Sequence, residues 1–165
     1  LNEQSGRPSA SAVARKKKLW ASMNWASPAA VLRHAGLFDV DLLRSQDVDL
    51  AWRIQRAGFR LVYAPGAIVR HHNEKTLWGL MREGYVHGKA GYHLLEKHEE
   101  HVKAPGPGRR IRTRLRKDLG AIARAPGDAE SLLRLLFDAG KSVGELSAWA
   151  EQQRRREPST NGAHG

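Results

Sequence analysis

The pattern of apolar and polar positions predicts two short helices in the first third of the chain. The first begins at Pro28, a residue favoured at the first position of a helix, and ends at Gly36. The second opens at Ser45 or Asp47, carries apolar residues at helical spacing and ends before Gly58. We therefore expect two helices joined by a short connection.

Strand patterns follow the second predicted helix. Residues 59–63 alternate between apolar and polar side chains, and residues 67–69 form a short apolar run. Pro65 and Gly66, which lie between the two segments, are a turn signal. The pattern therefore predicts two strands that flank a tight turn.

A longer helix is predicted from Thr76 to about His98, because apolar residues recur there at helical spacing. Three glycines, Gly84, Gly88 and Gly91, weaken this helix, since glycine has a low helix propensity. Glycines inside a helical pattern also indicate kinks or close packing against a neighbour.

Changes in composition predict four regions. Residues 1–18 are a flexible basic loop, and residues 19–104 contain the predicted helices and strands. Alternating Pro and Gly open residues 105–150, a basic linker and helical C-terminal extension in which Asp128 can cap a helix. Residues 151–165 have the composition of a disordered tail.

Charge and cysteine content narrow the function classes. Lys and Arg number 28 against 17 Asp and Glu, which gives a net charge of +11 and a surface that attracts phosphate groups. The absence of cysteine excludes disulfides, a thiolate nucleophile and a cysteine-type zinc site, and it fits a cytoplasmic location. Since the chain lacks an initiator Met and an apolar signal segment, we expect it to be part of a longer protein.

Three segments carry the most chemical information. Gly36–Asp39 has the sequence Gly-Leu-Phe-Asp, Ser45–Pro65 opens with Ser-Gln-Asp-Val-Asp and contains Arg-Ala-Gly-Phe, and Val69–His72 ends in two histidines. In order and spacing, the chain from about Ser22 to Leu95 resembles the inverting family 2 glycosyltransferases. The resemblance covers close to half of the chain.

This resemblance implies an α/β fold, the C-terminal part of a GT-A (nucleotide-diphospho-sugar transferase) fold followed by an α-helical tail. Residues 19–104 would be its acceptor-side half. The implied activity is inverting transfer of a sugar from a nucleotide-diphospho-sugar to a glycan or lipid-linked acceptor hydroxyl, in cell-envelope glycan or glycolipid synthesis. The family's Asp-x-Asp after an earlier strand is absent, so we expect the donor-binding half and most ligands of a Mg²⁺ or Mn²⁺ ion to lie outside this chain, which alone would be inactive.

The resemblance places Asp47 at the position of the catalytic base. A carboxylate in the first helical turn is favoured in its ionised form by the helix dipole, and it can accept a proton from an acceptor hydroxyl. Simple helix capping is the alternative role. Gln46 replaces the acidic residue common before the base, and Gln46 and Asp39 are assigned to substrate binding. For Asp49 we expect a salt bridge, with Arg53 as the candidate partner.

Asn24 and Trp25 match an element that lines the sugar site in members of the family. An amide can recognise hydroxyl groups, and the Trp25 ring could stack on a sugar face or pack in the core. His71 follows the second predicted strand, where some members place a histidine near the metal, and a neutral imidazole can bind Mn²⁺. A solvated histidine at a strand end is the alternative.

A non-catalytic basic module is the second functional hypothesis. Its centre is the run Arg109, Arg110, Arg112, Arg114, Arg116 and Lys117. Such a run could bind nucleic acid or an anionic membrane. We favour the membrane, at the inner face of the cell membrane and together with an amphipathic helix from Asp128 to Trp149, and we expect no specific nucleic acid. A half-domain without catalysis is the third hypothesis.

Overall fold

A computed structural model of the chain describes residues 24–42, 44–62, 64–70 and 76–156. The chain divides into two compact units, Leu1–His72 and Asn73–Gly165. Within the described residues, the first unit contains α1 (Ala29–His34) and α2 (Gln46–Arg56), and the second contains α3 (Leu77–Lys97), α4 (Pro107–Arg124) and α5 (Ala129–Arg156).

Both helices of the first unit end at a glycine, as the sequence predicted. Gly36 and Gly58 have φ angles of 86° and 90°, in the left-handed region that favours glycine. The amide of the residue after each glycine bonds back to a helix carbonyl, from Leu37 to Leu32 at 3.0 Å and from Phe59 to Ile54 at 3.2 Å. This arrangement satisfies carbonyls that the helix end would otherwise leave open.

The core of the first unit lies around α2, in which the four consecutive residues 49–52 are buried. Leu50, Ala51 and Ile54 are almost completely buried, and Trp52 and Leu42 are also buried. Burial of this kind stabilises a short helix through packing more than through its intrinsic propensity. The first unit is therefore built around the helix that carries the predicted catalytic residue.

The predicted α/β fold is wrong for the part of the chain that the structure describes. No strand is present in residues 24–42, 44–62, 64–70 or 76–156, and the segments predicted as strands are irregular where they are described. Val62 and Ile68 are 83% and 82% exposed. Alternation of apolar residues produces a strand only where a neighbouring strand pairs with the backbone, and no such partner is present among these residues.

In the second unit, α3 and α5 run parallel and approach each other through glycine. A Cβ atom at Gly84 or Gly88 would overlap the Phe137 or Lys141 carbonyl oxygen, and one at Gly140 or Gly144 would overlap carbonyls of α3. Glycine at every fourth position removes the side chains that would hold two helix backbones apart. The predicted close packing is confirmed for Gly84 and Gly88 but not for Gly91, whose Cβ position has no atom within 4 Å.

Polar bonds border the glycine contact. The Tyr85 hydroxyl lies 3.2 Å from the Ser147 hydroxyl, and the Lys89 ammonium lies 2.7 Å from a Glu151 carboxylate oxygen. The pairing of Tyr85 with Ser147 and of Lys89 with Glu151, in ascending order on both helices, gives α3 and α5 the same direction. These bonds fix the register of the helix pair.

The pairing of α4 with α5 is antiparallel and mostly ionic. Arg110 and Arg114 of α4 both bind the carboxylate of Glu145, which is 3% exposed, and Arg114 also donates to the Ser142 hydroxyl at 2.8 Å. Asp118 lies further along α4 and contacts the earlier α5 residue Arg134 at 3.8 Å. The buried carboxylate of Glu145 is compensated by two guanidinium groups, as a buried charge requires.

The ends of the helices do not coincide with the limits of the four predicted regions. Helix ends alone do not show whether these regions are domains. The α4 helix begins at Pro107, inside the segment predicted to begin as a linker, and α5 continues to Arg156. Residues 1–18 and 157–165 lie outside the described residues, so the predicted loop and most of the predicted tail stay predictions. None of the described helices is both long and apolar enough to cross a bilayer.

Candidate functional site

The N-terminus of α2 carries the predicted catalytic base. Gln46 and Asp47 are its first two residues and both are half-buried. The Asp47 Oδ1 atom accepts a hydrogen bond from the Val48 amide at 2.8 Å, which satisfies one of the amides that a helix start leaves without a helical partner. Asp47 therefore occupies the first turn, where the helix dipole favours a negative charge.

Arg53 holds this helix to the connection that precedes it. Its guanidinium group donates to the buried Asp49 carboxylate from Nε at 2.8 Å and from Nη2 at 2.7 Å. The same group also donates to the Ala35 carbonyl and, at 2.6 Å, to the Leu37 carbonyl. The salt bridge between Asp49 and Arg53 is confirmed, and its further bonds attach the segment before α2 to the helix.

The connection between α1 and α2 carries Asp39. Leu37 has a φ of 60°, so two consecutive residues of this connection, Gly36 and Leu37, adopt left-handed backbone conformations. Asp39 is half-buried, and its Oδ1 atom accepts a hydrogen bond from the Asp41 amide at 2.9 Å, an Asx-turn contact. Through Arg53, this connection is held against α2, the helix that Gln46 and Asp47 open.

Trp25 and Asn24 lie in two different local environments. The Trp25 ring is half-buried and its centroid lies 6.0 Å from that of Phe38, next to Asp39, which places Trp25 beside the α1–α2 connection. The Asn24 amide is exposed and donates to the Ala67 carbonyl at 2.6 Å. Asn24 thus joins its segment to the segment after α2, and both roles predicted for Trp25, stacking on a sugar face and core packing, stay predictions.

The predicted metal ligand cannot be placed. His71 lies outside the described residues. Among the residues that are described, no group of three or more histidine, aspartate or glutamate side chains could hold a metal ion. The role of His71 as a metal ligand therefore stays a prediction.

One element of the site was not predicted from the sequence. Arg53 reaches carbonyls 16 and 18 residues earlier in the chain. The available signal was Gly36, because it marks the end of α1, and the last carbonyls of a helix have no partner inside the helix and need other donors. Sequence spacing identified the Asp49 partner of Arg53, which is one helical turn away, but it could not identify these more distant ones.

The second unit contains a groove of about 280 Å³ near the C-terminal ends of α3 and α5. Tyr92, Glu96, Arg110, Trp149 and Gln152 contribute to its lining. Gln152 accepts a bond from Tyr92 and donates one to Glu96, and Arg110 binds Glu145. Since these polar groups already bind one another, the groove is part of the helix packing.

Comparison with known proteins points to one class, the glycosyltransferases. The matched relatives are the pre-mycofactocin glycosyltransferases of Mycobacterium tuberculosis strains CDC 1551 / Oshkosh and ATCC 25618 / H37Rv, each 38% identical to this chain over 64 residues. The matched stretch is 38% of this chain and 13% of each relative, so the chain spans a small part of their length. No protein-family model matches the chain, and no solved structure matches it.

Proposed function

We propose that this chain is part of an inverting family 2 glycosyltransferase and that Asp47 is its general base. In the proposed reaction an acceptor hydroxyl attacks the anomeric carbon of a nucleotide-diphospho-sugar, the C–O bond to the nucleoside diphosphate breaks, and Asp47 takes the hydroxyl proton. Inversion follows because the attacking and leaving oxygens lie on opposite faces of the sugar. The partial similarity to two glycosyltransferases supports the reaction class.

The observation that carries the proposal is the position of Asp47 in a helix start with fixed geometry. A general base must lie within about 2.6 to 3.2 Å of the proton-bearing oxygen, so its carboxylate has to be held in place. The Val48 amide orients one Asp47 oxygen, and two residues after Asp47 the buried Asp49 is held by Arg53, which lies one turn further along the helix. Capping alone would explain the Val48 contact but not the similarity to sugar-transferring enzymes.

The substrate-binding roles of Gln46, Asp39, Asn24 and Trp25 are part of the same proposal. Gln46 adjoins the base, and Asp39 lies on the connection that Arg53 attaches to α2, which supports a position for both near the acceptor. We further propose a nucleotide-sugar donor, a glycan or lipid-linked acceptor, and a divalent metal with His71 as a candidate ligand. Residues outside this chain would supply most of the metal and donor contacts.

The test is sugar transfer by the complete enzyme with Asp47→Asn. We expect turnover to fall by at least about a hundredfold, the usual effect of losing a general base, with no change in thermal stability. Asp41→Asn is the matched control, since Asp41 is an exposed aspartate of the same unit, and it should leave turnover unchanged. Near-normal turnover of Asp47→Asn would remove the proposed role.

Nucleic acid binding by the basic run is not favoured by the contacts of its residues. Arg110 and Arg114 bind Glu145 of α5, so two arginines at the centre of the run are used inside the second unit. A run that is partly used in helix pairing presents fewer cations to an extended nucleic acid backbone than its sequence suggests.

A further inference from the structure

One side of the α4–α5 pair is apolar and uncovered. Six apolar residues each directly follow a residue whose side chain bonds between the two helices. They are Ile111, Leu115 and Leu119 on α4 and Leu135, Val143 and Leu146 on α5, and we call them the apolar face. The repeated one-residue offset means that the ionic contacts and the apolar residues occupy adjacent stripes of each helix.

The two stripes of apolar residues lie on the same side of the pair. Each residue along an α-helix is rotated by about 100° from the one before it. Because α4 and α5 run in opposite directions and face each other through their ionic stripes, this rotation carries the following residue of both helices to the same side. The apolar face is therefore one surface made by two helices.

Four of the six residues of the apolar face are exposed to solvent, and Ile111 and Leu135 are half-buried. Leu119 is 52% exposed and Val143 is 59% exposed, and Leu115 and Leu146 are 47% and 44% exposed. The face that α5 turns to α3 carries Gly140 and Gly144 instead. Single exposed leucines are ordinary on a protein surface, but a contiguous row on two adjacent helices is typical of a binding surface.

Positive charge borders this face. Arg112 and Arg116 directly follow Ile111 and Leu115 on α4, so they lie at the edge of the apolar face, and both are exposed. The acidic side chains of these helices are mostly turned elsewhere: Asp118, Asp138 and Glu145 contact α4–α5 partners, and Glu151 binds Lys89 of α3. The pairing of α4 with α5 thus leaves an apolar surface with an arginine edge.

We propose that the apolar face docks on the surface of an anionic lipid bilayer. The apolar side chains would enter the boundary between headgroups and acyl chains, and Arg112 and Arg116 would bind lipid phosphates. Amphipathic surfaces with arginine beside the apolar residues bind membranes in this way. A second copy of this surface would bring no acidic partner to the arginines, because the acids near it are already paired, so charge favours lipid.

The experiment is flotation of the intact protein with vesicles of phosphatidylcholine alone or mixed with an equal part of phosphatidylglycerol. We expect flotation with the anionic vesicles only, and a loss of bound protein at high salt. Leu115→Ser with Val143→Ser should lower binding at least about tenfold, and Arg112→Glu with Arg116→Glu should do the same. Leu77→Ser and Arg82→Glu, exposed positions of α3, are the matched controls and should bind normally.

Folding and self-association are checked on the same samples. Circular dichroism should show unchanged helix content in each variant, since all the changed side chains are exposed. Absence of flotation with either vesicle would overturn the proposal. So would anionic-vesicle binding that survives the two serine substitutions, or a dimer of the intact protein that those substitutions convert to a monomer.

Discussion

Each of the two units of this protein is stabilised internally by a different kind of contact. In the first unit, one long side chain, that of Arg53, joins a helix to a left-handed connection through a buried carboxylate and two backbone carbonyls. In the second unit, α3 and α5 meet where side chains are missing, at four glycines. The contacts of Arg53 can be removed by truncating its side chain, whereas a glycine contact is disrupted by adding a Cβ atom.

Arg53→Ala should destabilise the first unit, with the largest expected loss in the free energy of unfolding. Asp49 is fully buried and would lose the bonds from the Arg53 guanidinium, and the Ala35 and Leu37 carbonyls would lose a donor. We expect a loss of about 3 kcal/mol in the free energy of unfolding, the lower range for breaking a buried pair. Chemical denaturation gives the total, and hydrogen exchange should increase in α2 but not in α3 or α5.

A paired substitution tests the cause of that loss. Arg53→Met together with Asp49→Leu leaves no buried charge, so it should recover a large part of the stability. If the double variant is as unstable as Arg53→Ala, the carbonyl bonds and not the ion pair hold the connection.

Gly88→Ala should destabilise the second unit. The added Cβ atom would overlap the Lys141 carbonyl, and we expect a loss of about 2 to 3 kcal/mol in unfolding free energy, typical of overpacking. Gly91→Ala is the matched control on the same helix, since nothing lies within 4 Å of its Cβ position. There alanine should raise stability by up to about 1 kcal/mol through helix propensity, and equal effects at the two sites would contradict the glycine contact.

Asp118→Asn tests how the protonation of a buried carboxyl group between α4 and α5 affects stability. Burial raises the pKa of Asp118, and the neighbouring charge and hydrogen bond of Asp138 raise it further. A raised folded-state pKa adds stability that is present below the ordinary aspartate value and is lost as the pH rises through the folded value. The variant should therefore lack this decline and be unchanged or slightly more stable, by less than about 1 kcal/mol, near neutral pH.

The measurement for Asp118 is the melting temperature of both proteins from about pH 4 to pH 7, the range above an ordinary aspartate pKa. The informative quantity is the difference between the two proteins at each pH, because carboxylates that do not interact with Asp118 contribute equally in both. A difference that stays constant over this range would contradict the raised pKa of Asp118.

Glu151→Gln should have the smallest effect. The hydrogen bond from Lys89 lowers the pKa of Glu151, so its contribution to stability is present above the ordinary glutamate value and falls away as the pH drops. Both side chains are 36% exposed, so salt should screen the pair. We expect a small decrease in melting temperature at low salt that disappears at high salt, and a decrease independent of salt would argue against an ionic origin.

Local signals predicted the parts of the fold that depend on local bonds. Gly36 and Gly58 stop their helices through contacts within six residues, and the Thr76 side chain caps α3 by accepting a bond from the Gly79 amide at 2.9 Å. The predicted strands failed because a strand depends on a partner that its own sequence does not contain. Pro105–Gly108 indicated a linker by their composition, but α4 begins at Pro107, and its arginines are compensated by Glu145, more than 30 residues from Arg114.

The candidate site was predictable from the sequence to a similar extent as the fold. The family resemblance pointed to Asp47 and Gln46, and spacing within one helix identified the Asp49–Arg53 pair. The attachment of the Asp39 connection depends on a bond from Arg53 to Leu37 across 16 residues, which no periodicity encodes. The hydrogen bond of Asn24 to Ala67 spans 43 residues and is equally invisible in the sequence.

The parallel pairing of α3 and α5 also sets a time order for synthesis of the chain. Tyr85 and its partner Ser147 are 62 residues apart, because the whole of α4 lies between the two helices. At about 5 to 20 residues per second, a ribosome delivers the partner about 3 to 12 s after Tyr85 itself. During that interval α3 carries three glycines without its packing surface, and an isolated helix of this kind is not stable in water. The nascent second unit can therefore fold only after nearly all of α5 has been made.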